Sequence, residues 1–314
     1  MRTLRGLTVA LILLATTGLV HADEISGTWT GAVEAWGNYY WEKSTRVVAP
    51  DLQLTLESPT GVELRASYLV DAITSASQAA GALTDNRFTE IRHDASIGAG
   101  YEWTFADMAL RVFGSINGSR EPDYASLSTA LALALSLNDR ATVLRLELGA
   151  LHDEVRQTFR GGTGVRPGTG GTSADQFHEQ IDAFRTAIGI DQLLSRIAHL
   201  QATYELAYLN GFLANPYRLV SVANVLRPEA HPGTRLRHTA SARLALAIPP
   251  TSTAVHLLYR AYIDSWRIGA LTPEVRLYQR VSPYSLIRVR HRHYRQTRAY
   301  FYEPDPESYV SSDV

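Results

Sequence analysis

The stretch IRHDASIGAGYEWTF, residues 91–105, decides the fold. Ile91, Ala95, Ile97, Ala99, Tyr101, Trp103 and Phe105 share one parity with His93. Arg92, Asp94, Ser96, Gly98, Gly100, Glu102 and Thr104 take the other. Such an alternation means an extended strand, because successive side chains leave a strand on opposite faces. A helix would mix charged and apolar residues on every face.

The same alternation recurs along the chain. In VELRASYLVDAI (62–73), Val62, Leu64, Ala66, Tyr68, Val70 and Ala72 oppose Glu63, Arg65, Ser67 and Asp71. In ASLSTALALALSL (125–137), Leu127, Leu131, Leu133, Leu135 and Leu137 oppose only Ser and Ala. Thirteen segments of this kind begin near Thr30, Val47, Val62, Thr89, Met108, Ala125, Ala141, Gln180, Ile197, Arg235, Thr253, Pro273 and Leu286. Several are far longer than the roughly five or six residues of a usual globular strand. They meet the roughly 9–11 tilted residues that a strand needs to cross a bilayer.

The connections alternate in kind. Short turns fall at 58–61, 105–107, 138–140, 193–196, 249–252 and 282–284, and longer links lie between them, notably 153–179 and 211–233. Short turns at one rim and longer loops at the other are the habit of outer-membrane barrels. A soluble sandwich alternates too, burying its leucines against a second sheet. Strand length, the two-rim rule and aromatics at Tyr101, Trp103, Tyr204, Tyr208, Tyr259 and Tyr262 favour the barrel. The expected fold is therefore all-β, an up-and-down antiparallel transmembrane β-barrel with 12–13 strands present.

Residues 1–22 read as a signal peptide: Arg2 and Arg5, an apolar run from Leu7, and small residues ending Val20-His21-Ala22. The mature part, 23–314, is then one barrel domain exported to the outer membrane of a Gram-negative bacterium. Expected partners are outer-membrane lipid and the barrel assembly machinery. There is no cysteine, so disulfides and thiolate metal sites are excluded. A net charge of −1 gives no global field for nucleic acid. Single-chain bacterial barrels have even strand numbers and no open edge. Thirteen is odd, so the expectation is a chain that lacks its last strands; the alternative is a first segment that is no strand and twelve that close.

At STRVVAPDLQLTLESPTGVELRASYLVDAITSASQ (44–78) the sequence resembles the DUF3570 family, as do NPYRLV (215–220) and YRAYIDSWRIGALTPEVRLYQRV (259–281). The resemblance implies an outer-membrane barrel without an assigned activity. It implies no catalytic residues, and a setting near periplasmic redox or flavin-related proteins.

Chemistry-bearing clusters give no enzyme motif. His93 and Asp94 are neighbours on a strand and face opposite sides, so they form no dyad. His291 and His293 share a face, but a metal site needs a further ligand. His152 with Asp153 and Glu154 sits at a loop base, where a solvated mouth is the simpler reading. The glycines of 161–171 lack a phosphate-loop ending. No catalytic, cofactor-binding or metal residue is expected.

The inward face carries the functional signal. A charge wall is expected from Arg235, Arg237, Arg243, Arg260, Arg276, Arg280, Arg288, Arg290 and Arg292, opposed by Glu63, Asp71, Glu90, Asp94 and Glu102. The basic stretch IRVRHRHYRQTRAYFY (287–302) is then no nucleic-acid arm, because Arg288, Arg290 and Arg292 form one stripe opposite Ile287 and Val289. Such a wall would bias a passive pore toward polar or anionic solutes. The alternatives are a salt-bridged, non-conducting scaffold that binds an envelope partner through loops 153–179 and 211–233, and, last, an envelope enzyme.

Overall fold

A computed structural model describes residues 29–41, 45–76, 87–156, 178–215, 219–222 and 225–302. The leader at 1–22 and the glycines of 161–171 lie outside the described residues. Regular structure is almost wholly extended, and no described helix is long and apolar enough to cross a membrane.

The first nine strands are β1 (Thr30–Trp41), β2 (Thr45–Glu57), β3 (Val62–Ala76), β4 (Arg87–Phe105), β5 (Met108–Arg120), β6 (Tyr124–Leu137), β7 (Thr142–Arg156), β8 (His178–Ser195) and β9 (Ala198–Gly211). A separate hairpin of β10 (Leu219–Val222) and β11 (Val225–Pro228) stands inside the 211–233 loop. The main sheet resumes with β12 (Thr234–Ile248), β13 (Thr253–Asp264), β14 (Gly269–Ser282), β15 (Ser285–Arg292) and the two-residue β16 (Arg295–Gln296). Pairing follows chain order from β1 to β9, then β12 to β15, every pair antiparallel. Each expected segment is a strand, the first included. The all-β, up-and-down antiparallel class holds.

Register fixes which residues share a face, because directly paired residues project to the same side. One row runs Val62, Tyr101, Val112, Leu133, Leu146, Ile188, Tyr204, Ala240, Ala261 and Leu271, from β3 to β14. Its neighbour one residue along runs Glu102, Arg111, Ala134, Arg145, Gly189, Thr203, Ser241, Arg260 and Thr272. The alternation within each strand thus becomes an apolar face and a polar face for the whole sheet.

Burial is inverted relative to a water-soluble sheet. On the apolar face Ile97 is 66% exposed, Ile188 57% and Ile263 62%. On the polar face Glu63 is 8% exposed, Asp191 9% and Glu274 7%. A sheet curled toward its polar side produces this distribution, with the large apolar surface turned outward.

Two details depart from a uniform ladder. β16 continues β15 in the same register on β14: Glu274 faces Arg292, and Leu271 faces Arg295. The break falls opposite Pro273, whose carbonyl accepts from His293 N–H at 3.0 Å but which has no N–H to return. Tyr262 is the second. One of the aromatics that favour the barrel, it lies on the polar face opposite Thr239 and Ala270, and its hydroxyl donates to Asp264 at 2.7 Å. Among the described residues β1 and β15 end the sheet and are not paired with each other, so hydrogen bonds do not close it.

Candidate functional site

The register places all nine arginines of the expected wall, and all five acids opposed to them, on the polar face. The acids are held locally. Glu63 binds both Arg65 and Arg111, Asp71 binds Arg92 at 3.4 Å, and Glu102 binds Arg140 of the β6–β7 turn at 2.5 Å. Asp94 accepts from Asn117 at 2.7 Å. Glu90 lies instead with Glu121 and Asp123 in a carboxylate group at the loop rim. Burial, then the neighbouring Asp123, raises the Glu121 pKa above its ordinary value.

The Glu63 cluster shows why strand β4 carries glycines. The Phe113 ring covers both: a Cβ on Gly98 or on Gly100 would sit 2.6 Å from it. Arg65 and Arg111 lie 5.3 and 5.6 Å from the ring centroid while sharing Glu63. Ring, cations and carboxylate form one packed unit on the polar face. Farther along, Arg185 bridges Glu147 at 2.8 Å and Glu205 at 3.0 Å, and Asp191 binds Arg145 and Gln201.

The basic side divides in two. Arg235 is anchored by Asp264 at 2.5 Å and lies 4.0 Å from the Trp266 ring centroid, and Arg276 and Arg290 share Glu274. Arg237, Arg243, Arg260, Arg280, Arg288 and Arg292 make no ion pair among the described residues. Three of these, Arg243, Arg260 and Arg292, line a cavity of about 290 Å³ on the polar face. Arg145, Gln201, Thr203, Ser241, Thr272 and Glu274 line it too. The Nε of Arg243 is buried without a hydrogen-bond acceptor.

The hydroxyl and amide members went unnoticed in the sequence. Their parity was readable, since Thr203, Ser241 and Thr272 alternate with apolar residues. Their grouping with Arg260 depends on the registers of β9, β12, β13 and β14, which no single strand reveals.

The histidines fall into place as surface and pairing residues. His93 and His238, both on the apolar face, each bond a tyrosine of a neighbouring strand: Tyr68 at 2.8 Å and Tyr204 at 2.7 Å. His152 bonds Asp182 across to β8 at 2.7 Å, whereas Asp153 on the opposite face accepts from Tyr124. His291 stands opposite Val275 on the apolar face. Of the two expected partner loops, residues 157–177 lie outside the described residues. The other carries the β10–β11 hairpin, and Glu229 at its base accepts from Asn215 N–H at 3.1 Å.

Among known proteins, the family described as a protein of unknown function, DUF3570, matches residues 79–313. No curated protein matches the chain.

Proposed function

The chain belongs to the DUF3570 family, and from its inverted sheet we propose that it is an outer-membrane β-barrel acting as a passive pore for small polar or anionic solutes. One observation carries this reading: an apolar face open along the strands backs a polar face that holds buried acids and is rich in arginine. Contiguous apolar surface of that extent marks a membrane or protein contact. Strands of 12 to 19 residues on the long path from β1 to β14 suffice to cross a bilayer. The arginines without acid partners leave positive potential on the inner side, which favours anions at the entrance of a narrow passage.

A second reading has its own support. The Glu63, Arg65, Arg111 and Phe113 unit and the Arg185 bridges fill part of the polar face. If such units plug the interior, the protein is a scaffold that presents its loops to an envelope partner. Single-channel recording of the refolded chain in planar bilayers separates the two. Steps of conductance with anion selectivity are expected, and a folded but electrically silent protein would favour the scaffold.

A further inference from the structure

We propose that Arg243, Arg260 and Arg292, with Thr203, Ser241 and Thr272, form a binding site for a small, multiply charged oxyanion of the phosphate type. The site rests on the reading of the polar face as the interior of a pore, and it names the solute class that interior would hold.

The charge balance of the cavity is the first argument. Its one acid, Glu274, is 7% exposed and already shared by Arg276 and Arg290. Its fourth arginine, Arg145, is spent on Asp191. Three arginines, Arg243 half-buried and Arg260 and Arg292 exposed, therefore line one cavity without an ion-pair partner among the described residues. Like charges brought together repel, and a buried donor without an acceptor, such as the Arg243 Nε, is costly. An anion in the cavity removes both penalties.

The donor chemistry narrows the class. Guanidinium forks match the spaced oxygens of phosphate and carboxylate, which a spherical chloride does not use. Thr203, Ser241 and Arg260 stand in direct register on three successive strands, followed by Thr272 on a fourth. Hydroxyl donors thus flank the Arg260 fork on both sides. The cavity volume of about 290 Å³ is at the low end for ligand pockets, suited to phosphate or a small phosphorylated solute.

Position narrows the source. Arg260 lies well inside β13, which begins at Thr253. At about 3.3 Å per residue that places it roughly 23 Å along the strand from the short-turn end. A lipid headgroup at that rim does not reach it. Asp264, at the opposite end of β13, is four residues away, roughly 13 Å. Binding of free phosphate without lipid is what separates a solute from a headgroup at that second rim.

The test is calorimetric titration of inorganic phosphate into the full chain, folded in zwitterionic detergent with chloride as background salt. Saturable one-to-one binding is expected, weakened at least tenfold in Arg260→Gln and in Arg292→Gln. Arg280→Gln, on the same face but outside the cavity, leaves it unchanged and controls for net charge. Arg260→Lys, which keeps the charge and loses the fork, weakens binding less than Arg260→Gln does. Heat-modifiable gel migration reports whether each variant is folded. The inference is overturned by absent saturable binding, or by binding that folded Arg260→Gln and Arg292→Gln both retain. Anion conductance without phosphate binding would remove the site and leave the pore. Phosphate binding in a silent protein would remove the pore and leave the site.

Discussion

Arg145 on β7 and Arg292 on β15 line the same cavity, although six strand spacings separate them in the sheet. In a flat sheet that path would be about 29 Å, at roughly 4.8 Å per strand. Both residues reach one cavity only because the sheet bends strongly toward its polar side. Curvature, not local sequence, turns a dispersed set of arginines into a site, and it makes several consequences measurable.

The Phe113 ring over Gly98 and Gly100 leaves no room for a methyl group. Gly98→Ala should lower stability by about 1–3 kcal/mol, the usual cost of overpacking. Adding Phe113→Ala should recover part of that loss, because the two changes share one volume. Urea midpoints of the single and double variants read the effect, and strictly additive losses would show that the ring is not the obstacle.

Glu63 holds two arginines at once. Glu63→Gln leaves Arg65 and Arg111 without their carboxylate, and partial solvent screening limits the loss to about 1–3 kcal/mol. The same denaturation measurement applies, and an unchanged midpoint contradicts the pairing.

Pro273 interrupts the edge strand by lacking one N–H. Pro273→Val should restore the bond to residue 293 and join β15 to β16, a gain of about 0.5–1.5 kcal/mol. Hydrogen exchange should slow for the amides of 293–296. Unchanged exchange would place the cause of the break elsewhere.

Glu121, in the loop between β5 and β6, has its pKa raised by burial and by Asp123. A carboxyl group whose folded pKa lies above its unfolded value stabilises the fold at low pH. That contribution is lost as pH rises from the unfolded value of 4.5 through the folded one. Glu121→Gln should therefore raise the melting temperature at pH 7 and change it little at pH 4. Equal effects at both pH values would remove the electrostatic cause.

Much of the fold was legible because a strand's period is local. Ile97 beside Gly98, and Leu133 beside Ala134, declare their faces without reference to any other segment. The site was legible only in part. Arg243, Arg260 and Arg292 could be assigned to a face by parity, but their meeting at one cavity depends on register and curvature. The same limit hid Arg140, a turn residue with φ of 65° that reaches Glu102 from another hairpin. The polar-face place of Tyr262 likewise follows only from its partners Thr239 and Ala270. The β10–β11 hairpin carries no long alternation, so a loop was the natural reading.

The central claim is that the apolar face meets lipid and the polar face meets water. The sequence contains no cysteine, so single labels are unambiguous. Ile116 and Ser115 are neighbours on β5 and project to opposite faces. Nitroxide labels on Ile116→Cys and on Ser115→Cys, in protein folded into phospholipid vesicles, report collisions with oxygen and with a water-soluble nickel chelate. The account predicts oxygen-dominated collisions at 116 and chelate-dominated collisions at 115. Chelate access at 116 equal to or above that at 115 would contradict it.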